Sequence, residues 1–541
     1  MDDSTENDGQ EQHNIFHRIL APLTRLFSSS DHKSNSASQS KAGSSIRSAP
    51  LNSPLIQQKE QRNNRPDRKD KMQTEISMRH EFLKQSIEDG SFWEMPDIEL
   101  LQLIKSAFPQ ELERLKNATF LRNPNAPRPA GLSISESLYG RGQEFAEINR
   151  TLVGVLALRW IHKGDYETFV GTQGPPPIVL KRDSFDWLCD LFKKGLRDAE
   201  DTYALIISMI INDLGKDPTL ATDYASLTGD DIPEVNHDMI LYDAVKARMV
   251  PVLDRLSEQD KDYLVLGIKL GSDFNFGQLA QAENAPASLS GLEEMRGHDR
   301  AFEMRFMEQL LDLAGASGHE DWTCAKKMIE PIFQSYKNVY DVAHGIIQAQ
   351  MSLREGYDII LKRKLKLLHE AGYPRQFDIQ DQADRALMRL FCLGNTSNSE
   401  NADVFYVAFM ERLAEEVRET LVHGLNVDGS VEAPAVQPTY LPAMLTKALG
   451  NTLNGTQEEK IKAVTAVLRY LTRCMVVEAS RLKKLPHRVT VVERDVRKIS
   501  PVLESEEFKH NPDILDREDI PEDQIANMAR DSEERTILSG G

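Results

Sequence analysis

The side chains best suited to chemistry cluster between Leu205 and Val245. Residues 204–218 read ALIISMIINDLGKDP, an apolar helix pattern that delivers Asn212 and Asp213 to its C-terminal end, with Gly215 permitting a change of direction and Lys216 close behind. Residues 235–245 read VNHDMILYDAV, which sets Asn236, His237 and Asp238 at the start of a second apolar stretch, 25 positions after Asn212. Two such pairs at helix ends could face one cavity, where a carboxylate and an imidazole can hold a cation. The same five residues, Asn212 to Lys216, also meet the plain requirements of a helix C-terminus: Asn and Gly are favoured there, and a lysine complements the negative end of the helix dipole.

Asn275, Gln278 and Gln281 in FNFGQLAQAEN recur at every third position along one side of a helix, where they either line a polar cavity or form a wet surface. His298-Asp299 and His319-Glu320-Asp321 are of ligand type, yet in a continuous helix their 21-residue separation puts them about 30 Å apart, too far to share an ion. His344, on a different helix, reads as a structural imidazole. The common catalytic templates fail: GTQGPPP lacks the Gly-Lys-Ser/Thr close of a phosphate loop, and GxGxxG, GxSxG and HExxH do not occur.

Helices must position these groups. In RGQEFAEINRTLVGVLALRWIHKG, Ile148, Leu152, Val155 and Leu156 make an apolar stripe; in RAFEMRFMEQLLDLAG, Phe302, Phe306 and Leu310 do the same, with Gly315 as a stop. From Thr456 to Leu485, Ile461, Val464, Leu468, Leu471 and Met475 alternate by three and four behind a capping box, Thr456-Gln457-Glu458-Glu459. The best strand candidate is RVTVVERDV, and a single strand cannot make a sheet, so an all-α fold is expected. The pattern divides the chain into a disordered Ser/Asn/Gln-rich tail (1–75), a helical body (76–390), a C-terminal helical part packed on that body (391–500) and an acidic disordered tail (501–541). Within the first tail, Ile15 to Phe27 carries apolar residues near helical spacing with Arg18 and Arg25, a segment that could dock on a partner or a membrane surface.

The chain has 541 residues and a formal charge of −19, a balance that opposes binding to the nucleic-acid backbone. No apolar run is long enough to span a bilayer. Four cysteines stand more than 60 positions apart and the N-terminus is acidic, so neither a disulfide framework nor a targeting peptide is expected, and the cytoplasm is the expected location.

Asn212-Asp213-Leu214-Gly215-Lys216 resembles the His-Asp-(Leu/Ile)-Gly-Lys signature of the HD-domain superfamily, and NHDMILYDAV is similar to a later His-bearing helix of some of its members, among them the inositol oxygenases. The resemblance implies an HD-like helical bundle and a divalent metal (Mn, Fe, Mg or Zn) that activates water in a hydrolase, or supports an oxygenase, acting on a small phosphorylated or polyol-like substrate. Position by position, it makes Asp213 the bridging carboxylate, His237 an imidazole ligand and Asp273 a terminal carboxylate, with Lys216 and Asp238 as catalytic groups and Lys216 placed to neutralise a substrate phosphate. Asn212 stands where the motif has histidine; its neutral amide oxygen suits Mg or Mn better than metals that prefer imidazole. The first helix should bring a further histidine, and none lies at that distance upstream. The central region is also similar to uncharacterised proteins of filamentous fungi, some of which accompany secondary-metabolite pathways. Missing imidazoles support the alternative of a non-catalytic helical scaffold that recruits a protein partner.

Overall fold

The computed structural model describes residues 68–118, 128–232, 237–477, 481 and 485–529, so Asn236 and the segment from Ile15 to Phe27 lie outside the described residues. Helices make up most of the described chain, as expected of an all-α protein, and among the described residues none is long and apolar enough to cross a membrane. The first, α1 (Arg68–Glu88), begins before position 75, where the tail was expected to end. It is held because Ile76, Leu83 and Ile87 are buried and His80 Nδ1 lies 2.9 Å from the Tyr203 hydroxyl.

Helix α2 (Ala146–Lys163) runs through the centre. Its sequence shows one apolar stripe, yet every residue from Glu147 to Ile161 is buried, because neighbours cover it on all sides. A helix so enclosed must pair its polar groups with protein. Arg159 bonds Asp97 at 2.6 Å and the carbonyls of Trp93 and Met95, and Asn149 Oδ1 accepts the Ser135 N–H at 2.7 Å. Against it pack α3 (Ala199–Ile211) and α6 (Asp299–Gly315); α5 (Glu258–Asp273) packs on α3 and α6, and α4 (His237–Lys246) on α5. The closest approach is between α2 and α6, where a Cβ on Gly315 would overlap the Arg150 carbonyl and lie 3.0 Å from Gly154 N.

One hydrophobic core extends from α1 through α7 (Glu330–Ile347) to α8 (Leu353–Glu370); a second is built on α9 (Gln382–Leu393), α10 (Glu415–Asn426) and α11 (Gln457–Met475), and α8 and α9 contribute to both. Thr456 and Glu459 form the expected capping box of α11, which ends at Met475 and does not run on to Leu485.

The expected lone strand has partners. Strand β2 (Val489–Asp495) lies between β1 (Ala435–Thr439), parallel to it, and β3 (Gln524–Met528), antiparallel, in a three-stranded sheet. Pro438 is tolerated in β1 because that strand is at the edge. Helices and β3 also occupy part of the stretch expected to be an acidic tail from 501: its acids are counter-charges, with Asp513 and Asp516 paired to Arg469 and Asp523 to Arg494, while Phe508 and Leu515 are fully buried.

Gly315→Ala should force α2 and α6 apart and lower stability by about 1–3 kcal/mol. Urea denaturation measures this, with Gly450→Ala, which meets no neighbour and has no positive φ, as the control for the substitution itself.

Candidate functional site

Helix α3 opens on Glu200 and Asp201, is mostly apolar from Tyr203 onward and ends at Ile211; Asn212 caps it in right-handed helical conformation, and a 3₁₀ turn, Leu214–Lys216, carries the chain onward. Gly215 does not serve a left-handed turn. It is needed because the start of α4 crosses directly above it, where a Cβ would overlap the His237 carbonyl. That crossing brings the two polar pairs together. His237 Nε2 lies 3.8 Å from Asp213 Oδ1 and 3.7 Å from Asp238 Oδ2. Lys216 Nζ is 2.8 Å from the same Asp213 oxygen and 3.4 Å from Glu147 Oε2, while Glu147 Oε1 takes Arg150 Nη1 at 2.5 Å.

A second group joins through Asp238. Arg305, on α6, donates to Asn212 Oδ1 at 2.7 Å, to Glu308 and to Asp238 Oδ1 at 3.2 Å. Gly271 on α5 makes room for its guanidinium, which a Cβ there would overlap. Burial works against every charge in this assembly. It would raise Asp213, but Lys216, Arg150 and His237 together hold that carboxyl well below the usual carboxylate range. Burial raises Glu147 in spite of Arg150 and Lys216, and Glu147 shares a hydrogen bond with Asp213, so of the two Glu147 is the one that takes up a proton first. Burial pushes Glu308 up to about 8, with Arg305 opposing and Asp312 and Asp238 adding to the rise. Asp312 is likewise raised, by burial and then by Asp213.

Asn212, Asp213, Lys216, His237, Asp238 and Asp273, the six residues singled out in the sequence, all line one cavity of about 290 Å³. Asn275 and Gln278 line it too, whereas Gln281 is buried after the short helix ends at Ala280. Arg150, Asp312 and Tyr336 complete the helical wall. The opposite wall comes from β1 to β3 and the turns beside them, with Gln437, Tyr440, Glu493, Asp495 and Arg497. None of these was found in the sequence. A signal existed for α6 alone: Arg305, Glu308 and Asp312 stand at i, i+3 and i+7, a charged stripe inside a helix whose apolar stripe demanded burial.

A divalent metal would find two donors in good relation, Asp213 Oδ1 and His237 Nε2. The rest of the set does not fit one. Asn212 Oδ1 is taken by Arg305, Lys216 holds the Asp213 oxygen that faces His237, and among the described residues no three His, Cys, Asp or Glu side chains converge on a common point.

A family model matches residues 101–515. The chain belongs to that family, a family of unknown function (DUF6829). No curated protein and no solved structure matches it. The DUF6829 span takes in every cavity residue named here and stops short of β3.

Removing Arg305 leaves Glu308, Asp238 and Asn212 buried without their shared donor. Arg305→Met should therefore cost about 3–5 kcal/mol in chemical denaturation. Because folding raises Glu308 from its ordinary 4.5, its contribution to stability is complete below 4.5 and is lost as pH climbs through about 8. Glu308→Gln should flatten stability against pH across that window, as thermal melts at stepped pH would record.

Proposed function

We propose that the cavity is a divergent HD-type site that binds a small, hydroxyl-rich metabolite and acts on it by proton transfer through His237, with no divalent metal. The observation that carries this reading is the meeting of His237 with Asp213 and Asp238 on the wall of a polar cavity. His237 Nε2 is partly exposed there and can take the proton of a ligand hydroxyl, and the two carboxylates beside it stabilise the imidazolium that results. Asp213 can do this because Lys216 and Arg150 keep it ionised at a depth where a lone carboxyl would be protonated. Lys216 acts as a positioning residue, already paired on two sides.

The lining decides between polyol and phosphate. Seven carboxyl groups, Glu283 and Asp312 among them with a raised pKa, face three Lys or Arg side chains and one imidazole around the cavity, so a phosphate dianion would meet more carboxyl groups than cations. The amides of Asn275, Gln278, Asn284 and Gln437 suit hydroxyl groups, which both donate and accept hydrogen bonds. A volume near 290 Å³ is at the small end of ligand cavities. A second reading, a metal-dependent hydrolase, is favoured by the 3.8 Å between Asp213 Oδ1 and His237 Nε2, which suits two ligands of one cation.

One set of measurements separates them. Sorbitol should raise the melting temperature of the purified chain saturably, Asp213→Asn and His237→Ala should abolish the effect while circular dichroism stays unchanged, and elemental analysis should find substoichiometric Mn, Fe and Zn. One metal per chain that disappears in those two variants would establish the second reading in place of the first.

A further inference from the structure

The sheet side of the cavity has its own chemistry, separate from the Asp213–His237 floor. Glu283 and Asn284 lie on the turn after the short helix Phe276–Ala280, and each is only 2% exposed. Both line the cavity, and each has one side-chain oxygen, Glu283 Oε1 and Asn284 Oδ1, with no hydrogen-bond partner among the described residues. A buried acceptor left so is costly, by roughly 1–3 kcal/mol, unless something else supplies the donor. Glu493 and Asp495 line the same wall from β2, and their charges act on Glu283. Arg497 is the cation that lines this wall with them: it reaches Asp495 at 2.8 Å through Nε and 2.5 Å through Nη2, and its charge also acts on Glu493.

The backbone here is constrained as well. Tyr440, which lines the cavity between β1 and the following helix, has φ of +66°, a left-handed conformation unfavourable for a tyrosine, and the Arg497 guanidinium sits 3.9 Å from its ring centre. Arg389, fully buried, donates to the carbonyls of Ala282, Glu283 and Asn284 and fixes the turn that carries the two acceptors. The wall is therefore a rigid array of acceptors, three of them carboxyl groups, in which positive charge is short.

We infer that this wall is a subsite for a protonated amine, so that the ligand is a small polyhydroxylated amine held with its ammonium group among Glu283, Asn284 and Glu493 and its hydroxyl groups toward His237. The inference rests on the reading of the cavity as a site for a hydroxyl-rich ligand. An organic ammonium fits better than a metal ion, because its N–H groups can each reach a separate acceptor, and the acceptors here are dispersed: among the described residues they form no metal-binding group. Glu283 is pushed up to about 8, by burial first and then, against the backbone N–H of Tyr440, by Glu493. An ammonium ion arriving beside it would favour the ionised form, and binding near neutral pH would release a proton to solvent.

The test uses three matched probes on the full chain: glucamine (1-amino-1-deoxysorbitol), sorbitol and sorbitol 6-phosphate, titrated by calorimetry in buffers of different ionisation enthalpy. Glucamine should bind about tenfold or more tightly than sorbitol, with proton release, and sorbitol 6-phosphate more weakly than either. Glu493→Gln should remove the preference for the amine and leave sorbitol binding in place; Glu283→Gln should also remove the proton release. Equal affinity for glucamine and sorbitol, or a preference that survives in both variants, overturns the amine subsite while the hydroxyl-rich reading stands. If neither glucamine nor sorbitol binds, both readings fall.

Discussion

An ionised carboxylate in a place that water scarcely reaches is the constraint on which the rest depends. Asp213 is 3% exposed, and it remains charged because α2 supplies Arg150, the turn after α3 supplies Lys216, and α4 lays His237 across both. The crossing requires Gly215, the approach of α2 to α6 requires Gly154 and Gly315, and Gly271 admits the guanidinium that ties Asp238 to Asn212. Four helices are thus registered by a few charges. Apolar packing supplies the bulk of the folding free energy, as in any protein of this size, while the ionic assembly selects one arrangement of the helices, since a shift of any of them would strand a charge without its partner.

This view also explains why the cavity can be polar and yet lie between two hydrophobic cores. Its helical wall sets Arg150, Lys216 and Arg305 among its carboxyl groups, whereas its sheet wall, among the described lining residues, has Arg497 beside Glu283, Glu493 and Asp495. Apart from the turn that carries Glu283 and Asn284, the two walls come from parts of the chain about 100 residues or more apart, and α8 and α9, which belong to both cores, hold the halves together.

Part of this was legible in the sequence and part was not, for physical reasons. An apolar helix ending in Asn212-Asp213 and a second beginning at His237-Asp238 are local patterns, and the structure brings the residues they carry to one cavity. The all-α class followed from periodicity in the same way. Arg150 escaped notice because it sits in a helix that reads as half exposed; only the surrounding elements show that α2 is covered on every side. The sheet escaped because β1 pairs with β2 across more than 50 residues, Ala435 with Val491, and such pairing leaves no trace in local spacing. Gly215 was read as a turn, and its function is to make room for a neighbouring backbone. The acids after 501 were read as solvated because the arginines that neutralise them, Arg469 and Arg494, lie on α11 and β2.

The central claim is that the Asp213–His237 pair faces a ligand and needs no metal to do so. Nuclear magnetic resonance of the His237 imidazole, assigned with His237→Gln and followed while sorbitol is added to metal-free protein, tests it most directly. The account predicts a saturable shift of the His237 signal in the absence of any divalent ion. A signal that stays still until Mn or Zn is added, or that never moves while sorbitol binds elsewhere, would contradict it.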